Sequence, residues 1–292
     1  METKHLKSFE IVYESRSIHQ AAKALFITPQ GLSKTIQQLE QNLGVTLFER
    51  SKQGVIPTRS ADLLYERCRQ LLPRFDALEQ ELALLDTPKS RLRLGAANGV
   101  FNLVPFRHVM DFSQKRDDIL LECGEYANQE VRDMIRQARL ECGLIVGEWE
   151  DPEILTQPVA ECPLCLLVYE GHPLFNKESI TIDLLREEPL IPMNERFRLY
   201  SDFMDACHAR GFTPRIVAKT ADANFQHRLC RDRMGLAIVP AFVQNSFSME
   251  GLRLIPFAED LRWEVHLACL RSRAELPALR DFTSHLLQGA RV

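Results

Sequence analysis

The chain has 292 residues, of which 45% are hydrophobic and 26% are charged, with a formal net charge of −4. This length favours two or three compact units over a single core, and the composition excludes a disordered chain. No apolar run approaches the ~20 residues of a membrane-spanning helix, and the first residues lack the layout of a signal peptide. The eight cysteines are scattered, as is typical of reduced thiols, so we expect a cytoplasmic protein without a membrane partner.

The charges are unevenly distributed along the chain. Residues 1–60 carry eight Lys and Arg against five Asp and Glu, whereas residues 61–88 carry three against six. A basic first segment followed by an acidic remainder predicts that the chain contacts nucleic acid through one end only.

Two helices are predicted at the start of the chain. The first covers residues 4–15, where apolar side chains recur at helical spacing. These are Leu6, Phe9 and Val12. Ser17 is a suitable N-cap for a second helix over residues 18–25.

A third helix is predicted from Thr28 and Pro29, which fit the N-cap and the first helical position, to Gly44, which fits the C-terminal end. An apolar stripe faces the core along this helix. It consists of Leu32, Ile36, Leu39 and Leu43. The residues on the opposite face suit contacts with base edges and phosphates in a major groove. These are Gln30, Ser33, Lys34 and Gln37.

The segment after Gly44 has the pattern strand, glycine-containing turn, strand, over residues 45–59. Arg50, Lys52 and Arg59 fall within it. Because no acid lies between them, we expect a basic wing that contacts phosphates beside the third helix.

These motifs have fixed residue types at fixed spacing over about forty positions. They are Ala21-Ala22-Lys23-x-Leu25, Thr28-Pro-Gln-Gly-Leu-Ser33-Lys-x-Ile36 and Leu39-Glu40-x-x-Leu43-Gly44-Val45-x-Leu47-Phe48-x-Arg50. Together they closely resemble the DNA-binding domain of LysR-type regulators. The resemblance implies a winged helix-turn-helix over residues 1–60 that contacts DNA, including through Thr28 and Pro29. One departure is Ala61, where the family usually has Gly.

A heptad seam follows the wing. Its members are Leu64, Cys68, Leu71, Phe75, Leu78, Leu82 and Leu85. We expect a linker helix over residues 61–88 that pairs with a second copy of the chain, as the resemblance also implies. Pro73 lies inside this helix and is expected to bend it, and Pro88 is expected to stop it. A core helix of the C-terminal domain is the alternative.

From residue 91 onward the pattern alternates between strands and helices, which predicts an α/β domain with a mainly parallel sheet. Strands are predicted at residues 92–96, 119–123 and 143–147, and a helix is predicted that contains Val131. Ligands of such sheets lie beyond the carboxyl ends of the strands.

The body also resembles the LysR effector domain, through stretches including Arg91-Leu-Arg-Leu-Gly95 and Gly235-Leu-Ala-Ile-Val-Pro240. The resemblance implies a two-lobed, periplasmic-binding-protein-like domain over residues 89–292 that binds a small-molecule effector between its lobes. Lobe I is expected at residues 89–160 and 264–292, and lobe II at residues 161–263.

Transferring the family's ligand contacts by position places them at Asn98, Gly99, Asn128, Met193 and Asn194. The family often has Ser or Thr where this chain has Asn98 and Asn128. Because Asn offers both a donor and an acceptor, the effector need not be a simple anion. Ordinary helix capping is an equal alternative for these two residues.

Three charged residues near these positions, Glu195, Arg196 and Arg198, are interpreted as solvated surface charges rather than selectivity determinants. Cys162-Pro-Leu-Cys165 is a CxxC motif on an apolar strand, where residues three apart face opposite sides, so it is interpreted as core rather than as a metal site. No catalytic constellation and no cofactor motif is found, so we expect neither an enzyme, nor a metal, nor a cofactor.

The sequence therefore predicts a homodimer or homotetramer that binds double-stranded operator DNA, with its DNA-binding units respaced through the linker helices when an effector binds. Two alternatives remain. One is a thiol-based redox regulator that uses Cys207 and Cys230, and the other is a ligand-independent protein that organises DNA.

Overall fold

The computed structural model describes residues 2–51, 54–84 and 90–289. The chain divides into two compact units, one with the N-terminal helices and one with the large sheet. Lys52 of the predicted wing, Leu85 of the predicted seam and the predicted stop at Pro88 lie outside the described residues. Within the described residues, no helix combines the length and the apolar character needed to cross a membrane.

The first unit contains three short helices, a two-stranded ribbon and one long helix. In chain order they are α1 (Thr3–Ser15), α2 (Ile18–Ala24), α3 (Pro29–Leu43), β1 (Phe48–Ser51), β2 (Gly54–Pro57) and α4 (Arg59–Leu84). The three predicted helices are confirmed to within one residue at each end. Their caps act as expected, because Ser17 accepts from the Gln20 N–H, Thr28 accepts from the Gly31 N–H, and Gly44 ends α3 with φ of +69°.

The core of the first unit is shared by α1, α3 and the first half of α4. Phe9, Leu32 and Leu39 are fully buried in it, together with Cys68 and Leu72 of α4. Burying an aliphatic or aromatic side chain of this size contributes about 1.5–3 kcal/mol. The first half of α4 is therefore part of the core of this unit and not a free linker.

This packing corrects the predicted heptad seam. Helix α1 packs on a stripe of α4 that includes Ala61, Cys68 and Leu72, which is rotated from the seam and takes Cys68 out of it. The exposed part of the seam begins later, and its residues are 45–56% exposed. They are Leu71, Phe75, Leu78 and Leu82. The helix continues across Pro73, which removes one N–H from the helical hydrogen bonds.

The β1–β2 ribbon is the predicted wing, and backbone contacts hold it to the helices. The Val55 N–H donates to the Arg16 carbonyl at 2.9 Å. Gly54 has φ of +138°, and a Cβ there would lie 2.3 Å from the same carbonyl oxygen. At the base of the ribbon, the Glu40 carboxylate accepts from the backbone N–H groups of Leu47, at 2.7 Å, and Phe48, at 3.1 Å. Glu40 therefore fixes the angle between α3 and the wing.

The second unit is an α/β domain. Its elements are β3 (Ser90–Ala97), α5 (Phe106–Gln114), β4 (Ile119–Tyr126), α6 (Asn128–Arg136), β5 (Cys142–Val146), β6 (Ile154–Tyr169), α7 (Arg198–His208), α8 (Ala223–Arg231), β7 (Ala237–Pro240), α9 (Val243–Ser246), β8 (Leu252–Pro256), β9 (Arg262–Leu270) and α10 (Pro277–Gly289). The three strands and the helix that were predicted correspond to β3, β4, β5 and α6.

The sheet order is β4-β3-β5-β9-β6-β7, with β8 paired to β6. Strand β3 runs parallel to β4 and β5, but β9 is antiparallel to β5, and β6 is antiparallel to β7, β8 and β9. The expectation of a mainly parallel sheet was therefore wrong. The reason is topological, because one strand leaves for the second lobe and another returns, and adjacent outgoing and returning strands run antiparallel.

Strand β6 is shared between the lobes. Residues 154–163 of β6 pair with β9, and residues 164–169 pair with β7 and β8. We name lobe I the part built on β3, β4, β5 and β9, and lobe II the part built on β7, β8 and the end of β6. The register of β6 against β9 shifts between Pro158 and Ala160, close to the predicted crossover at Ala160.

Candidate nucleic-acid interface and interlobe cleft

The exposed face of α3 carries the polar residues that the sequence singled out. Leu32, Ile36 and Leu39 are buried, so the helix has a fixed orientation in its unit. The opposite face carries Gln30, Ser33, Lys34 and Gln37, of which only Ser33 is partly buried. Their side chains have no hydrogen-bond partners within the described residues. Thr28 and Pro29 hold the start of the helix by their cap geometry.

The basic residues of the wing follow α3 along the chain. Arg50 lies on β1 and Arg59 begins α4, and both are exposed. Neither guanidinium forms an ion pair within residues 2–51, 54–84 and 90–289, so both charges are available to an anionic partner. In the part of this unit that the structure describes, the polar face of α3 and these two charges therefore have no partners.

A cleft of about 380 Å³ lies between the lobes of the second unit. The carboxyl ends of β3, β4 and β5 contribute Asn98, Asn128 and Val146 to lobe I. Lobe II contributes the starts of α7 and α8 and the segment after β7. This volume is at the lower end of the range for small-molecule sites, about 300–1,000 Å³.

The turn after β3 meets an acidic side chain in this cleft. Gly99 has φ of +86°, and its N–H donates to Oε1 of Glu125 at 2.9 Å. The Asn98 N–H donates to the Tyr126 carbonyl at 2.9 Å. Both backbone donors at this turn are thus occupied by the protein itself. The Asn98 side chain is exposed to the cleft and has no hydrogen-bond partner within the described residues.

Asn128 lines the cleft, and its side chain is bonded to β5. Its amide Nδ2 donates to the Val146 carbonyl at 3.0 Å, and its Oδ1 accepts from the Val146 N–H at 2.9 Å. The capping alternative was therefore wrong, because this amide extends the hydrogen bonding of β5 at the start of α6. Met193 also lines the cleft. Asn194 is not among the residues that line it, and its Oδ1 accepts from the Arg196 N–H at 3.1 Å within a turn.

The three charged residues near Asn194 have different surroundings. Glu195 forms an exposed ion pair with Lys219, which lowers the pKa of its carboxyl, so the surface interpretation holds for Glu195. Arg198 pairs with Asp202 at 2.8 Å and packs against Gly147 of lobe I. Arg196 lines the cleft and has no ion-pair partner in the described part of the chain. Both arginines therefore belong to the cleft as well as to the surface.

Sequence reasoning missed several cleft residues. Glu125 lies at the end of a strand and Gln226 on a helix, with no local signal to mark either. Gln226 is only 2% exposed, and its Nε2 donates to the Ile191 carbonyl at 2.7 Å. An apolar wall completes the cleft, and in it Phe242 meets Trp263 edge to face at 5.2 Å.

The cysteines do not support a redox site. All eight are free thiols, and Cys162 and Cys165 are buried, as expected for core residues. Burial raises the pKa of Cys207 to about 11 and that of Cys230 to about 12, so both are protonated at neutral pH. They also belong to different buried clusters.

Across residues 2–51, 54–84 and 90–289, no three His, Cys, Asp or Glu side chains are grouped to hold a metal ion. The polar residues of the cleft are amides and opposite charges, which suit the binding of a small organic molecule.

Comparisons with known proteins agree with these two units. The chain matches the bacterial regulatory helix-turn-helix protein, lysR family, over residues 3–62, and the LysR substrate binding domain over residues 85–291. The transcriptional regulator AlsR of Bacillus subtilis (strain 168) is 27% identical over 86% of this chain and 84% of its own length. The regulator YnfL of Escherichia coli (strain K12) is 27% identical over 100% of this chain and 99% of its own length.

Solved structures show the same fold. The full-length LysR-family regulator CbnR in complex with its target DNA has a TM-score of 0.71 with this chain, at 19% identity and 99% coverage of both chains. The predicted fold class, an N-terminal helix-turn-helix followed by a two-lobed α/β domain, is confirmed. The relatives are named as regulators, which confirms that the chain belongs to a group of proteins that are not enzymes. The chain is therefore a member of the LysR family of DNA-binding transcriptional regulators.

Proposed function

We propose that the chain reads a partly symmetric operator with α3 in the major groove. Gln30, Ser33, Lys34 and Gln37 contact base edges or position the helix, with Thr28 and Pro29 at its start. Arg50, Lys52 and Arg59 hold phosphates. The observation that carries this proposal is that the polar face of α3 and two arginines of the same unit have no partners among the described residues. The proposed domain boundaries are residues 1–60, 61–88 and 89–292, as the sequence indicates.

The test is DNA binding by the full chain, to its own upstream intergenic region and to a scrambled duplex, at several salt concentrations. Arg50→Ala should weaken both duplexes and lower the slope of log affinity against log salt by about one. Gln37→Ala should weaken the operator by about 1–3 kcal/mol and leave the scrambled duplex unchanged. Arg215→Ala, an exposed substitution in the second unit, is the control. An unchanged affinity of the Arg50→Ala variant would exclude the wing contact.

We also propose that a small molecule bound in the interlobe cleft changes DNA binding. Asn98, Gly99 and Met193 contact it from the cleft walls, while Asn128 supports the wall through Val146 and Asn194 through its turn. The support is the position of the cleft at three parallel strand ends, where ligands of such sheets bind.

Filling the cleft tests this second proposal. Ala221 lines the cleft and is exposed, so Ala221→Trp should leave basal DNA binding intact. It should abolish any change that a deproteinised metabolite extract causes in the unsubstituted protein. A variant that still responded would place the effector elsewhere. If the unsubstituted protein never responded to any extract, the ligand-independent alternative would stand.

The exposed stripe of α4 supports self-association. Leu71, Phe75, Leu78 and Leu82 present an apolar surface that a second copy of the helix would cover, as coiled-coil seams do. We propose a homodimer or homotetramer formed through this stripe. We also propose that the protein works in the cytoplasm, where its DNA lies and its thiols stay reduced.

A further inference from the structure

The interlobe cleft contains opposite charges on its two walls, and these charges indicate the class of effector that it binds. The inference rests on the proposed function of the cleft. The described residues that line the cleft include one acid, Glu125 on lobe I, and two bases, Arg196 and Arg198 on lobe II. Because Arg198 already pairs with Asp202, the balance of free charge is set by Glu125 and Arg196.

Glu125 occupies the place where a ligand carboxylate would otherwise find backbone donors. Its Oε1 takes the Gly99 N–H, and the Asn98 N–H is bonded to Tyr126. Its other oxygen has no partner within the described residues. A ligand carboxylate placed here would meet a like charge and no free backbone donor at residues 98 and 99. A ligand cation placed here would instead gain a charge-assisted hydrogen bond.

Arg196 provides the complementary feature on the other lobe. Its backbone N–H is fixed by the side chain of Asn194, at 3.1 Å, while its guanidinium has no ion-pair partner within the described residues. A guanidinium offers planar, bidentate hydrogen bonding that matches a carboxylate. The two walls together therefore favour a ligand that carries both signs of charge.

The remaining walls of the cleft indicate the character of the uncharged part of that ligand. They are largely apolar and include Phe197, Ile238, Phe242 and Phe247. Between them lies Gln226, whose Nε2 is bonded to Ile191 while its Oε1 has no donor among the described residues. Among the described residues this Oε1 is therefore an acceptor that an N–H group of the ligand can use.

We propose that the effector is a zwitterion with an apolar body, such as a hydrophobic amino acid. Its ammonium group binds Glu125, its carboxylate binds Arg196, and its body packs on the apolar wall of lobe II. Neutralising a charge on each lobe brings the two lobes together around the ligand.

The experiment measures thermal shift and titration calorimetry on the full chain with the twenty standard amino acids. It also uses two sets of three compounds. In each set the first compound is a zwitterion, the second lacks its ammonium group and the third lacks its carboxylate. The first set is L-phenylalanine, 3-phenylpropanoate and 2-phenylethylamine. The second set is 4-(aminomethyl)benzoate, 4-methylbenzoate and 4-methylbenzylamine. Hydrophobic amino acids should bind at least tenfold more tightly than acids or amines with the same skeleton.

Two charge-removing variants separate the roles of the two walls. Glu125→Gln should weaken binding of the zwitterion about tenfold while binding of the matched acid stays the same or improves. Arg196→Gln should weaken binding of the zwitterion and the acid alike. Glu130→Gln and Arg215→Gln, exposed residues outside the cleft lining, are the matched controls and should bind as the unsubstituted protein does.

Two results would overturn the inference. Tighter binding of the acids, strengthened further in Glu125→Gln, would mean that Glu125 is a displaceable substitute for an anionic effector. Absence of any shift with the amino acids and with 4-(aminomethyl)benzoate would exclude the zwitterion class. In either case a metabolite extract that still changes DNA binding, in an Ala221-dependent way, would leave the proposed function of the cleft standing.

Discussion

Gly54→Ala tests whether the wing is held by a close backbone contact. The added Cβ would lie 2.3 Å from the Arg16 carbonyl oxygen, at a backbone φ of +138°. Neither group is a flexible side chain, so β2 must move and weaken the 2.9 Å bond from the Val55 N–H to that oxygen. Backbone strain of about 1–3 kcal/mol and one hydrogen bond of about 1 kcal/mol give a loss of roughly 2–4 kcal/mol in unfolding free energy.

Urea unfolding of the full chain measures this loss. Both tryptophans, Trp149 and Trp263, lie in the second unit, so their fluorescence follows that unit, whereas far-UV circular dichroism follows both. In Gly54→Ala the midpoint of the helix-turn-helix unit should fall by roughly 1–3 M urea, and the fluorescence transition should not move. DNA affinity should fall in parallel, because Arg50 is displaced with the ribbon.

Gly44→Ala is the matched control for this experiment. Gly44 also has a positive φ, +69°, but no atom lies within 4 Å of an added Cβ. This substitution should therefore cost only the conformational strain, about 1–2 kcal/mol. If Gly54→Ala lowers the midpoint no more than Gly44→Ala does, the contact with Arg16 is not what holds the wing.

Three further outcomes are expected. Phe26 is 95% exposed with φ of +55°, so Phe26→Asn should raise the unfolding free energy by about 0.5–1 kcal/mol. A thermal melt in which this variant loses stability would reveal an unrecognised contact of the ring. Leu78→Glu should lower the oligomeric state in sedimentation velocity, while Leu63→Glu, exposed outside the stripe, should not; equal behaviour would exclude the stripe as the interface. Burial raises the pKa of Cys207 to about 11 and that of Cys230 to about 12. Iodoacetamide should therefore alkylate both thiols slowly at pH 7 and faster as the pH rises towards those values. Rapid alkylation at pH 7 would support the redox alternative.

The helix-turn-helix was predictable because its signals are local. Ser17, Thr28 and Gly44 fix helix ends through bonds within three or four residues, and the sequence shows those spacings directly. The seam of α4 was only partly predictable. Which stripe of the helix is free depends on where α1 packs, and Cys68 fits either stripe by periodicity.

The sheet and the cleft depended on long-range contacts. The strands themselves were evident, but the direction of β9 against β5 follows from the path between lobes, which leaves no mark on residues 262–270. Glu125 was missed for a similar reason. Its importance comes from Gly99, 26 residues away, and an acid at the end of a strand is otherwise unremarkable.

The strand that both lobes share limits how they can move. Strand β6 is continuous from Ile154 to Tyr169, and β9 pairs with its first part as one antiparallel ribbon. A pair of hydrogen-bonded strands resists sliding but yields to twist, so opening and closing of the cleft should behave as torsion of an elastic hinge. The register of that ribbon shifts between Pro158 and Ala160, and Pro158 has no N–H to donate, so we expect the ribbon to twist most easily there.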